Sequence, residues 1–123
     1  MKSNKYRLLI ELDGLPPMPN VYLRWHYQKR HREFSFWYDL INYKVRSIRP
    51  DKPLERFSIR AIRRSSVVGD FDGICGSFKP IIDSLIKAKI LQDDSWNNTG
   101  QWDVSFEKVT RKEQSILVEI IED

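Results

Sequence analysis

The sequence has little that would tie it to an oxidising compartment or to a bilayer. One cysteine, Cys75, stands among 123 residues, so neither an internal disulfide nor a cysteine-built metal centre is available. A lone thiol of this kind is expected to be buried. No apolar run approaches the roughly 18 residues that cross a membrane, so no membrane partner is expected. The N-terminal stretch MKSNKYRLLIELDG meets an acid before a signal-peptide core can form, and the cytoplasm is the expected location. Internal repeats and low-complexity segments are also missing, which removes solenoids and disordered arrays.

What is present is ordinary globular material. Hydrophobic residues make up 41% and charged residues 31%, enough apolar surface to fold, and the length suits one domain over residues 1–123. The net charge of +4 hides a division. Residues 1–66 hold 15 Lys and Arg against 6 Asp and Glu, a net of +9, whereas residues 67–123 hold 6 against 11, a net of −5. A basic first half attracts polyanions and an acidic second half suits divalent cations, although a solvated surface has the same composition.

Hydrophobic periodicity divides the chain into six elements. YRLLIEL (6–12) reads as a strand that DGLPPMPN terminates, because Gly14 and three prolines break ladder pairing. From Gln28 to Ile48, the residues Phe34, Trp37, Tyr38, Ile41, Val45 and Ile48 recur every three or four positions, one face of a helix that RPDKP ends. RFSIRAIRR (56–64) alternates as a strand, with Ile62 out of pattern. Ile74, Phe78, Ile81, Ile82, Leu85 and Lys89 fit a second helix, expected to start near Ser77 as N-cap with Pro80 in its first turn. SWNNTG reads as loop, and QWDVSFEKVT and QSILVEII as two strands joined by the polar turn RKEQ. The order β-α-β-α-β-β predicts a small α+β domain, two main helices on a mixed four-stranded sheet.

GDFDGICGSFKPIIDSLIKAKILQDD (69–94) carries five acids. Asp70 and Asp72 repel one another when extended on one face, and a divalent cation would relieve that repulsion. The alternative is that Asp72 caps the following helix while Asp70 makes an Asx-turn. A calcium loop counted from Asp70 fails, because Ile74 and Ile81 occupy its fifth and twelfth positions. DFDG also looks like the nucleophile motif of haloacid dehalogenase-type phosphatases, but the 51 residues after Asp72 are too few for that doubly wound sheet.

The wider constellation resembles the RusA family of Holliday junction resolvases. Asp70 and Asp72 match its Asp-x-Asp pair, Lys79 its lysine, Asp83 the acid four residues on, and Asp93 with Asp94 its Asp-Asp pair. Upstream, GLPPMPNVYLRWHYQKRHREFSFW resembles its Pro-Pro-x-x-Asn segment and basic helix, with Asn20 as the asparagine. Nearly the whole chain is covered. Gly73 departs from the family Asn, and three extra residues precede Lys79; Gly73 and Gly76 are expected to let the backbone approach a phosphate. The resemblance implies a RusA-like fold and a Mg²⁺-dependent endonuclease, with Mn²⁺ as a substitute, that acts in DNA recombination and repair by paired nicks in four-way junctions. Asp70, Asp72 and Asp94 are the implied metal ligands and Lys79 the cation on the phosphate or leaving group. Asp83 and Asp93 stand behind them as supporting acids.

The basic segment RWHYQKRHRE supplies Arg24, Lys29, Arg30 and Arg32 for phosphates, interleaved with aromatic rings for bases. Arg60, Arg63 and Arg64 are expected to extend the same track. His26 and His31 lie off a zinc-helix spacing and read as structural or DNA-proximal. A homodimer matches the two-fold symmetry of a junction. A helix from Ser77 to Ile90 runs about 20 Å, so Asp72 and Asp94 share a metal only if loops fold back or a second chain contributes. The second arrangement is expected; Phe78, Ile82, Leu85 and Ile86 offer it a contact stripe or serve an ordinary core, and the core is expected for at least half of them. A non-catalytic DNA-binding or assembly protein, or a nuclease for flaps or mismatched duplex, is the alternative.

Overall fold

The computed structural model describes residues 5–95 and 98–123, so the SWNNTG loop lies partly outside the described residues. The elements are β1 (Arg7–Asp13), α1 (Pro19–Tyr22), α2 (Tyr27–Val45), β2 (Phe57–Ser65), α3 (Phe71–Ser77), α4 (Lys79–Lys87), β3 (Thr99–Lys108), a 3-10 turn (Arg111–Glu113) and β4 (Ser115–Glu122). They form a small α+β domain, with two main helical segments on one face of a mixed four-stranded sheet.

The strand order is β1-β4-β2-β3. β4 runs antiparallel to both β1 and β2, and β3 lies parallel to β2 after a crossover through α3 and α4. The last two strands, consecutive in sequence, are therefore not neighbours: β2 separates them. Period-two alternation sends one residue set of each strand inward. Ile10, Val118, Ala61 and Val104 form one such row across all four strands, the first three fully buried. Ile62 no longer breaks a pattern, because its register partners Leu117 and Ser105 place it on the sheet's outer face.

Trp37, Ile41 and Val45 of α2 and Ile81, Ile82 and Leu85 of α4 close the core over the inner face. α2 stops at Val45, short of the expected Ile48, which is 48% exposed and whose carbonyl accepts from the Tyr6 hydroxyl at 2.6 Å. Among the described residues no helix is long and apolar enough to cross a membrane.

The second helix differs most from expectation. It begins at Phe71, because the Asp70 carboxylate accepts from the Gly73 N–H at 3.3 Å and so occupies the N-cap position expected of Ser77. Ser77 is instead fully buried, its hydroxyl donating to the Ile74 carbonyl at 2.6 Å. The helix then breaks at Phe78, since Pro80 has no N–H to give to the Gly76 carbonyl four residues back. The Tyr22 hydroxyl reaches that carbonyl at 3.4 Å, tying α1 to the joint. Pro80 becomes a first-turn proline of a new helix, α4. Lys89 ends α4 with φ +64°; the Ile90 N–H reaches the Leu85 carbonyl and the Lys89 N–H the Ile86 carbonyl, both at 3.0 Å, a Schellman arrangement with lysine where glycine is usual. Lys89 therefore leaves the apolar stripe to which its spacing assigned it.

Candidate functional site

The Pro-rich segment after β1 shapes the acidic turn. Arg63, on the inner face of β2 and 8% exposed, donates through Nη1 to the Pro16 carbonyl at 2.7 Å. Met18 then lies over Gly69 and Gly73, and Pro19 over Gly76, so tightly that a Cβ on any of the three would collide. The expectation that Gly73 and Gly76 open the backbone to a phosphate is thus corrected: Met18 and Pro19 of the same chain occupy that space.

On this support Asp70 and Asp72 project into solvent. Asp70 caps α3, and Asp72 sits in its first turn, both at the helix end whose dipole favours negative charge. The sequence-level alternative placed Asp72 at the cap; the structure gives that role to Asp70. Neither carboxylate has an ion-pair partner among the described residues. Burial first, and the Asp72 charge second, push the Cys75 thiol above its ordinary pKa. Val67, Val68 and Phe71 surround the turn at 71%, 66% and 70% exposure, an apolar rim that no periodicity signalled.

Lys79 opens α4 and pairs with Asp83 at 3.3 Å, four residues on. More informative is its surrounding: Lys79 lines a groove with Tyr22, Leu23, Tyr27, Arg30, His31 and Phe34. The fold therefore brings the lysine of the acidic half against the basic helix of the other half.

Asp93 and Asp94 lie elsewhere. They follow Leu91, which bridges to Leu54, and the Gln92 N–H donates to the Leu54 carbonyl at 2.9 Å, fixing this segment beside the start of β2. The Asp70 turn follows the other end of β2, a nine-residue strand spanning about 26 Å. The Asp94 N–H donates to Asp93 Oδ1 at 2.8 Å, and both side chains are exposed. The flanking loops do not fold back along the helices. Among the described residues no three His, Cys, Asp or Glu side chains converge into a metal-holding group, so Asp70, Asp72 and Asp94 of one chain do not fit a shared cation.

The basic residues fall into three places. Asn20 and Arg24 are exposed on and just after α1, Arg30 is half-buried on α2, and Arg32 is exposed beside Tyr27 and His31. Lys29 stacks its ammonium 4.7 Å from the Trp25 ring centroid. His26 is structural: its Nδ1 accepts from the Gln28 N–H at 3.3 Å as the cap of α2.

Arg60, Arg63 and Arg64 do not extend this track, because strand alternation divides them. Arg63 points inward, where burial pushes its guanidinium below the usual arginine range. Arg60 and Arg64 lie on the outer sheet face, away from the helices. Arg60 shares Glu119 with Arg7 at 3.1 and 3.0 Å, and Arg64 reaches Glu11 at 2.9 Å and Glu107 at 3.4 Å. The Glu11 hydrogen bond leads in raising the Arg64 pKa.

Tyr27 and His31, read among the basic residues, and Phe34 and Tyr38, read on the apolar helix face, join as one stripe spaced i, i+4, i+7, i+11 on α2 along the groove beside α4. The spacing was legible; the neighbouring helix was not. No protein-family model matches the chain, and no curated protein does.

Proposed function

We propose that the protein is a metal-dependent endodeoxyribonuclease acting on branched DNA, four-way junctions foremost, as its resemblance to the RusA family implies. The supporting observation is that Asp70 and Asp72 stand exposed at one end of α3 with no ion-pair partner among the described residues, while Lys79, just beyond its other end, joins Arg30 and His31. Carboxylates without a basic partner repel each other and bind a divalent cation favourably, and the adjoining cations suit the phosphates of a bound strand. Mg²⁺, with Mn²⁺ as a substitute, supplies electrostatic help to phosphodiester hydrolysis when bound.

Two carboxylates of one chain are an incomplete ligand set. The proposal therefore includes a homodimer in which Asp94 of a second copy, supported by Asp93, joins Asp70 and Asp72. Of the stripe Phe78, Ile82, Leu85 and Ile86, the first three are excluded as its contact surface because they are buried in their own core, and Ile86 is partly buried against it.

Incubation with labelled four-way junction DNA and Mg²⁺ or Mn²⁺ tests this reading. The expected result is paired nicks, abolished by Asp70→Asn and Asp72→Asn at unchanged or slightly higher junction affinity. Arg30→Ala and Arg32→Ala are expected to weaken binding, each lowering the slope of log affinity against log salt by about 0.9. Binding without cleavage under either metal would leave a non-catalytic DNA-binding protein, and cleavage of flaps alone would redirect the substrate.

A further inference from the structure

The groove carrying Lys79 does not end there. α2 and α4 run side by side in the same direction: Lys79 lies among Arg30, His31 and Phe34, and eight residues later Lys87 lies beside Tyr38, its Nζ 5.1 Å from the ring centroid. Between them the groove continues as a concavity of about 360 Å³, floored by Pro80, Ser84 and Ile86 and walled by His31, Phe34 and Tyr38. One wall is thus an aromatic stripe and the other a helix edge reading Lys79, Asp83, Lys87. Its one acid is already paired with Lys79.

We infer that this groove takes a single-stranded, unpaired segment of DNA, its bases against Tyr27, His31 and Tyr38 and its phosphates on Arg30, Lys79 and Lys87. Three physical points favour that occupant. Aromatic rings alternating with cations are the two requirements for holding a strand whose bases are free to stack, whatever their sequence. The cations outnumber the one acid, which matches a polyanion and disfavours a second copy of this groove or a basic peptide. Bases paired inside a duplex cannot reach rings set in a furrow between two packed helices, whereas the free bases of one strand can. Lys87 and Tyr38 lie together at one mouth of the groove, so a base stacking on that ring displaces the ammonium from it. Tyr27, 66% exposed, offers its ring at the opposite end.

This inference deepens the reading of the protein as a nuclease for branched DNA, because a junction opened at its centre presents unpaired bases. It is tested without cleavage. A fluorescein-labelled oligo(dT) and a duplex of equal length are titrated with the full chain in EDTA at low salt, with anisotropy as the readout. The expected result is tighter binding of oligo(dT) than of duplex, weakened about five- to a hundredfold by Tyr38→Ala and comparably by Lys87→Glu. Tyr38→Phe, which keeps the ring, and Lys87→Arg, which keeps the charge, are expected to bind as the parent does. Lys87 is exposed, so its variants report even if Tyr38→Ala fails to fold. Equal affinity for duplex, or unchanged oligo(dT) binding in Lys87→Glu, would overturn the inference. Junction cleavage in Mg²⁺, measured separately, judges the nuclease reading: oligo(dT) held in the groove with no cleavage sustains this inference and sinks that one.

Discussion

Arg63 Nη1 donates to the Pro16 carbonyl at 2.7 Å, so a buried cation on the central strand holds the segment that shapes the acidic turn. Replacing Arg63 by Met keeps the apolar stem and removes the bond. Loss of a buried hydrogen bond from a charged donor is expected to cost about 1.5–3 kcal/mol of stability. Urea denaturation measures it, and a midpoint equal to the parent's would show that the clamp contributes nothing.

Cys75 reports on the charge beside it. Its thiol is raised by burial and then by Asp72, so the neutral form dominates near pH 8. Asp72→Asn removes the second cause, lowers the thiol pKa, increases the thiolate fraction and is expected to speed alkylation by iodoacetamide at that pH. The sole cysteine makes the rate unambiguous. An unchanged rate would mean that the carboxylate does not act on the thiol.

Subunit mixing addresses the two acid sites that lie toward opposite ends of β2 in one chain. Asp72→Asn and Asp94→Asn proteins are each expected to be inactive. In a shared-site dimer the mixed species contains one intact site and one doubly damaged site, so nicking of a single strand is expected to return. Complete inactivity of the mixture, with heterodimer formation verified, would rule out the composite arrangement.

Lys89 sits at φ +64°, where a side chain is strained. Lys89→Gly relieves about 1–2 kcal/mol and adds about 0.5–1 kcal/mol of unfolded-state freedom. The expected net gain is therefore of the order of 0.5–1 kcal/mol, readable as a raised denaturation midpoint. A lowered midpoint would mean that the lysine makes compensating contacts.

Much of the local structure was written in the chain. The strand β1 announced itself by a short apolar run, β2 by alternation, α2 by the spacing of Trp37, Ile41 and Val45, and the basic and acidic halves by simple composition. These features depend on near neighbours, whose geometry the backbone periods 2.0 and 3.6 dictate wherever the chain folds. The split of the second helix at Pro80 was half visible: the proline was plain, but the caps read from the letters were Ser77 or Asp72, and the structure uses Asp70.

Tertiary structure alone decided the rest. Insertion of β2 between β3 and β4 depends on long-range pairing, which no local period encodes; alternation already divides Arg63 from Arg60 and Arg64, and the packing of the helices on one face decided which side was inward. Gly73 and Gly76 look like open backbone until Met18 and Pro19, some 55 residues earlier, fill the space. Phe78, Ile82 and Leu85 fit a core or an interface equally well by spacing, and only the sheet beneath them selected the core. The same packing set Lys79 against Arg30 and left Asp94 at the far end of β2, because side chains distant in sequence meet only where two apolar faces exclude water together.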